Sequence, residues 1–470
     1  MQVLAKKVKR GAMMLPLAAF TGLSALAQEV SIEDRLAALE GSASAYVDNS
    51  YLFLIGGLIV MFMAAGFLCL EAGLVRSKNA SMQSLKNIAL FSIAGLMFWL
   101  IGYNIAYPTE WVSVGGHELF GMPNLDAFAW SGGQLSIESD AGYAPASDWF
   151  FQMVFVATAA SIVSGTVAER VKLSSFLIFT AVLTAFIYPI VAGWEWGTGF
   201  LDDLGFSDFA GSTLVHSTGG WAALMGAIII GPRMGKYFGD RVNPMPGSNI
   251  PLAALGTFIL WFGWFGFNGA SQLAAGTISD INSVAVIFAN TNMAAVGGVL
   301  GALLLTAILY KGKVDPTMVF NGAIGGLVAI TAEPLMPSMG EAVLIGGVGG
   351  ILVVLTVPLL DKFKIDDVVG AIPAHLVCGI WGTMAVALNV AKDVKNEAGE
   401  VIGATGAFDA AQLLPQFYGV AATGIFVCTA SAIVWFALKL TIGVRVSEED
   451  ELLGLDRADT GVEAYPEFAS

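Results

Sequence analysis

Charge is what this sequence has least of. Only 13% of its 470 residues are Asp, Glu, Lys or Arg, where a soluble globular domain carries about 25%. An ordinary soluble enzyme, a disordered chain and a coiled coil are excluded together. Cysteine is equally scarce. Cys69, Cys378 and Cys428 sit inside apolar runs, an odd number at spacings that fit neither a disulfide framework nor a zinc site. No Walker A, H-E-x-x-H or EF-hand pattern occurs, and no nucleophile stands out among the serines, so neither a cofactor nor an enzyme activity is expected. The net charge of −15 has the wrong sign for a nucleic-acid partner. What fills the space is apolar: 56% of the chain is hydrophobic and 56 residues are glycine. That composition predicts an all-α integral membrane protein that crosses the lipid several times.

The N-terminus carries Lys6, Lys7, Lys9 and Arg10, then a short apolar run over residues 12–26 ending in Ala25-Leu26-Ala27. This is the pattern of a secretory signal peptide, residues 1–27, with Gln28 starting the mature chain. Residues 28–48 then form a short extracytoplasmic lead-in. Eleven long stretches almost free of charge follow, at 49–70, 87–109, 149–168, 173–194, 209–234, 243–279, 281–310, 316–332, 342–360, 368–391 and 410–438. A helix needs about 20 residues to cross the hydrocarbon core, so these predict eleven transmembrane helices, the eighth and ninth short. The loops after odd-numbered spans hold Arg76, Lys78 and Lys86, then Arg170 and Lys172, Arg233, Lys236 and Arg241, Lys311 and Lys313, and Lys362 and Lys364. From residue 76 onward only Lys392 and Lys395 fall in the opposite set. The positive-inside rule then orients the chain N-out/C-in. Gly297/Gly301, Gly322/Gly326 and Gly346/Gly350 are small-xxx-small pairs suited to close helix packing.

Two of the three histidines lie inside spans, and their surroundings match. Asp208, Gly211, His216 and Gly220 repeat the spacing of Asp367, Gly370, His375 and Gly379. Trp221 and Trp381 follow them. A weaker echo links residues 66–71 (GFLCLE) to 263–268 (GWFGFN). The matched histidines are five spans apart, and an odd offset reverses the orientation of the second half. This predicts an inverted five-plus-five repeat, with halves at about 49–234 and 243–391 and one extra helix at 410–438. A pseudo-twofold of that kind brings His216 and His375 face to face near the midplane. Intramembrane ionisable groups usually line a pathway, and facing neutral imidazoles can share a proton while their outward nitrogens meet a small polar solute. His117, in an outer loop, reads as solvated. Asp208 reads either as a helix cap or as a carboxylate acting on a cation by its field. Glu71 reads either as an ion-pair partner of Arg76 at the end of its span, the favoured reading, or as a residue touching the cytoplasmic vestibule.

The segment from Asp208 to His216 (DFAGSTLVH) resembles the signature of the Amt/Mep/Rh ammonium transporter family, in its Amt branch. Residues 70–79 (LEAGLVRSKN), 167–170 (VAER), 263–268 and 375–379 (HLVCG) resemble its other blocks, so the resemblance runs from about Tyr46 to the C-terminus. It implies the twin pore histidines at His216 and His375, stacked phenylalanines closing the outer mouth at Phe155 and Phe267, and a recruitment site for ammonium at Trp196 and Ser271. Asp208 would stand behind that site and Phe151 near the entrance. The resemblance further implies a homotrimer with one pore per subunit, a transporter domain over 49–443, and a cytoplasmic tail, 444–470, that docks on neighbouring subunits and meets a PII-type regulatory protein. The expected function is electrogenic uptake of ammonium, with methylammonium as analogue, across a bacterial inner membrane: the ion is recruited and deprotonated at the outer site, ammonia is conducted past the twin histidines and the proton is transferred separately. An ammonium receptor that transports little and a neutral-gas channel of Rh type are the competing readings. The Trp196/Ser271 site favours the Amt branch.

Overall fold

The computed structural model describes residues 32–122, 142–395 and 401–468. The expected signal peptide therefore lies outside the described residues. The chain folds into α1 (Ile32–Leu74), α2 (Ser77–Ala106), α3 (Pro145–Thr166), α4 (Leu173–Asp203), α5 (Ser212–Ile230), α6 (Ile250–Ala270), α7 (Ile278–Leu309), α8 (Pro316–Ile330), α9 (Met339–Lys362), α10 (Ile372–Leu388) and α11 (Ala410–Thr441). Among the described residues nine of these are long and apolar enough to cross a membrane, while α8 and α10 are apolar but shorter. The sequence placed the shortness at the eighth and ninth spans. In fact α9 has 24 residues, and α10 is the short one because a β-hairpin takes over at Val390. α1 also starts earlier than its span, so most of the expected 28–48 lead-in is helical and continuous with it.

Lipid offers no hydrophobic drive between helices, so contact depends on backbones approaching closely. The small-xxx-small pairs do this where α7, α8 and α9 meet. Gly297 and Gly301 on α7 lie against the backbone of Val343 and Gly347 on α9, Gly322 and Gly326 on α8 lie against Gly298, and Gly346 and Gly350 on α9 lie against Ala294 and Gly298, with no room for a Cβ at any of them. Two faces result at the helix ends. One, the hairpin face, carries the hairpins Glu110–Val114/His117–Met122 and Val390–Lys395/Val401–Ala407, with His117 exposed. The other, the tail face, gathers the connections after α1, α3, α5, α7 and α9.

On the tail face a buried charge network ties together four connections, those after α1, α3, α5 and α9. Glu169, in the left-handed region at φ 68°, accepts from Arg76 (2.5 Å) and Arg233 (3.0 Å). Arg233 also forks onto Asp366 at 2.8 and 2.9 Å. Arg170 donates to the carbonyls of Thr166, Ala168, Gly231 and Asp366. The chain after α11 joins this floor: Val446 N–H donates to Arg170 O, Glu451 accepts from Met234 N–H and Arg445, Lys78 donates to Glu451 O and Leu452 O, and Asp456 accepts from Ser81 and Met82 N–H.

Two expectations are corrected here. Arg76 does not pair with Glu71: it sits past the end of α1 and turns toward Glu169, while Glu71 points inward to Gln83, Asn87 and Ser164. Lys86 is not in a loop. α2 begins at Ser77, which puts Lys86 in its third turn. Its ammonium is buried, donating to Ser164 O at 2.8 Å and lying 5.0 Å from the Phe176 ring centre.

Burial pushes Glu169 and Asp366 up, but the neighbouring guanidiniums win and hold both carboxyls below the usual carboxylate range. A depressed carboxylate contributes stability that is fully present above its unfolded value, about 4, and is lost as pH falls through the folded value. The melting temperature of the detergent-purified protein should therefore drop as pH falls below about 4. Breaking one partner of a buried pair costs about 3–5 kcal/mol. R233M should lower the melting temperature at neutral pH accordingly and flatten its acid dependence, as read by thermal unfolding across pH.

Candidate functional site

The two intramembrane histidines owe their positions to matched local structure. α5 opens with a π-helical turn, Ser212–Ser217, containing His216; α10 opens with another, Ile372–Val377, containing His375. π-turns widen the backbone and aim a side chain away from the regular helical face. Each is entered through a glycine at positive φ, Gly211 at 110° and Gly370 at 78°. A Cβ at Gly211 would run into Val215 as well. An aspartate precedes each glycine. Asp208 accepts four backbone N–H groups, from Gly211, Ser212, Thr213 and Leu214, at 2.7–2.9 Å. Asp367 accepts those of Gly370 and Ile372 and the Thr166 hydroxyl. The Asp-x2-Gly-x4-His spacing is thus a structural unit in both copies: acceptor, left-handed hinge, displaced imidazole.

The unit brings the rings together. His216 Nδ1 and His375 Nδ1 are 3.3 Å apart, and both residues are almost fully buried. One Nδ1 must donate and the other accept. For neutral rings this fixes opposite tautomers, leaving one Nε2 as an acceptor and the other as a donor. His216 Nε2 has no hydrogen-bond partner. Ring contacts continue on either side. Trp264 stacks on His216 at 5.0 Å and Phe67 lies 5.9 Å from His375. Sequence reasoning did not assign these two rings, yet they are the second residues of the echoing segments 66–71 and 263–268, so the signal was there.

Toward the hairpin face, Phe267 lies 5.2 Å from His216 and stacks on Phe155 at 3.8 Å. Phe155 in turn meets Phe151 at 4.7 Å and Trp196 at 6.2 Å. Ser271 is one helical turn beyond Phe267; its hydroxyl donates to Phe267 O at 2.8 Å, which leaves its lone pairs free. Trp196 is held by its indole N–H, which donates to Asp208 O at 3.0 Å. Asp208 N–H donates to Glu195 Oε1. Burial pushes the Asp208 carboxyl up, and the four backbone donors oppose that. With its oxygens occupied, Asp208 can act on a cation near Trp196 by its field and through the indole it positions.

On the other side of the histidines a cavity of about 370 Å³ opens on the tail face, lined by Leu74, Arg233, Lys236, Asp361, Val369 and Pro373 among others. The order from the hairpin side is therefore Trp196 and Ser271, the stacked Phe155/Phe267 pair, the two hydrogen-bonded imidazoles and, on the tail side, a cavity of mixed polar and apolar lining.

The chain is 41% identical to the ammonium transporter Amt2 of Archaeoglobus fulgidus over 434 residues, covering 88% of this chain and 87% of that one. It is 36% identical to the ammonium transporter Amt1 of Haloferax mediterranei, over 89% and 80%. Among solved structures it resembles a protein described as "Sensor Amt Protein", with a TM-score of 0.79 and 35% identity over 88% and 98% of the two chains. It also resembles Mep2 of Candida albicans, with a TM-score of 0.74 and 25% identity over 87% and 88%. Residues 51–465 match the Ammonium Transporter Family, and the chain is a multi-pass membrane protein belonging to that family.

Proposed function

We propose that the protein takes up ammonium by splitting it: ammonia passes the histidine pair and the proton follows separately. The observation that carries this is the 3.3 Å contact between His216 and His375 behind the Phe155/Phe267 stack, with His216 Nε2 left without a partner. Trp196, Phe151 and Phe155 offer π faces to a small cation, worth roughly 0.5–2 kcal/mol, and Ser271 offers an acceptor. Ammonium donates hydrogen bonds, whereas potassium does not. An intact charge is costly to carry through an apolar lumen, so the N–H bond breaks at the mouth, giving ammonia and a proton. The neutral ammonia hydrogen-bonds to the complementary Nε2 atoms.

In this reading α8 and α10 complete eleven membrane crossings, N-out and C-in. Spans one to five and six to ten form an inverted repeat to which α11 is added. The matched Asp–Gly–His units and the paired Phe67 and Trp264 rings support the repeat, and the basic residues of the tail face support the orientation. The division into a signal peptide (1–27), an outer segment (28–48), a transporter domain (49–443) and a cytoplasmic tail (444–470) goes with it. So do a homotrimer in a bacterial inner membrane and a PII-type partner at the tail face. The tail's contacts with Lys78, Met234 and Arg170 fit a regulatory element that reports on the floor of the pore. Purified protein on a solid-supported membrane tests the reading. An ammonium pulse should evoke an inward positive current and a potassium pulse none; equal responses to the two ions would refute it.

A further inference from the structure

Glu71 is 1% exposed, on α1, and takes no part in the site described above. Its Oε2 accepts from Gln83 and Asn87 on α2 and from Ser164 on α3. Its Oε1 has no partner, and neither has Asn87 Oδ1. Lys86 is close by, with one donor on Ser164 O. A buried carboxylate oxygen and an amide oxygen left open together form an acceptor site waiting for a donor. Its place matters as much as its chemistry. Phe67, which meets His375, is one turn before Glu71 on the same helix, about 6 Å along the axis. Leu74, one residue short of a turn further, lines the tail-face cavity. Glu71 Oε1 faces Gly165 together with Val369, and Val369 also lines that cavity.

We propose that Glu71 is the proton acceptor on the cytoplasmic side of the histidine pair. This rests on the split of ammonium proposed above. The proton released from ammonium forms an N–H bond on the imidazole pair; a proton then leaves the pair on its other side, breaking an N–H bond and restoring the neutral rings, crosses the gap through water, and forms an O–H bond at Glu71 Oε1. It is then given up to water in the 370 Å³ cavity, restoring the carboxylate. Gln83, Asn87 and Ser164 hold the acid in place, and Lys86 keeps its charged form tolerable. The other charged groups around it are Asp367, joined to α3 through Thr166, and Glu169 and Arg170 at the end of α3.

Full-length protein in proteoliposomes, recorded for current and for lumenal pH by a trapped dye, provides the test. Wild type should give an ammonium current; its absence would sink the reading that ammonia and a proton both cross. E71Q should cut that current at least about tenfold while ammonia still enters, so that the lumen turns alkaline. An undiminished E71Q current overturns the proposal, and so does joint loss of current and ammonia influx in folded protein, which would make Glu71 a packing residue. If E71Q does not purify folded, K86M answers. K86M takes away the nearest cation, so the pH profile of the current should move by about one unit or more. An unmoved profile overturns the proposal.

Discussion

Ammonium-evoked current should fall by about a hundredfold or more when His216 and His375 are both replaced by alanine, the scale of a lost proton-transfer pair. Each ring alone leaves the other with an unpaired Nδ1 in a dry environment, so the single variants should be damaged as well. The double variant removes both partners of the hydrogen bond and leaves no orphan, and it should therefore fold better than its loss of function suggests. The Phe155/Phe267 stack and the Trp196 mouth do not depend on the imidazoles for their hydrogen bonds. Loss of current in a protein that melts near the wild-type temperature would assign the effect to the histidines themselves. Survival of current, unaltered in rate and in discrimination against potassium, would refute their role.

D208A should act through a different channel. The carboxylate closes four backbone N–H groups at the start of α5, and each buried donor left open costs about 1–3 kcal/mol. Gly211 stays in its left-handed hinge only while something rewards that geometry, and Asp208 does so from both oxygens. We expect D208A to lose several kcal/mol, on the order of the summed donors, seen as a sharp drop in melting temperature and in yield of detergent-purified protein. D208N keeps one oxygen and should fall between. A D208A protein that melts like wild type yet conducts nothing would shift the weight from the capping role to the field acting at Trp196.

Much of this was legible because membrane physics narrows the choices. Long charge-free runs mark helices, and the spacing Asp208–Gly211–His216 with its copy at Asp367–Gly370–His375 marks a local unit repeated in reverse. That the unit is a capped π-turn was not legible: acceptor aspartate, hinge glycine and histidine each have commoner uses, and only the fold joins them. Phe67 and Trp264 sat inside an echo too weak to rank above ordinary packing rings. Lys86 misled because lysine near a span end is normally a loop residue; here its charge is met inside the helix bundle by Ser164 O, Phe176 and the nearby acid. Glu71 misled for the converse reason. Arg76 is close to it in sequence but lies beyond the helix end, where Glu169, folded back at positive φ, is the nearer acid. Pairings fixed by tertiary contacts some 90 residues apart leave no periodic trace in the chain.

The mechanism requires that ammonia and its proton both cross while travelling apart. One recording decides it: current and lumenal pH taken together from wild-type proteoliposomes under an inward ammonium gradient. Separate but coupled passage gives an inward current with no net alkalinisation of the lumen. Alkalinisation without current would mean that the protein passes neutral ammonia alone.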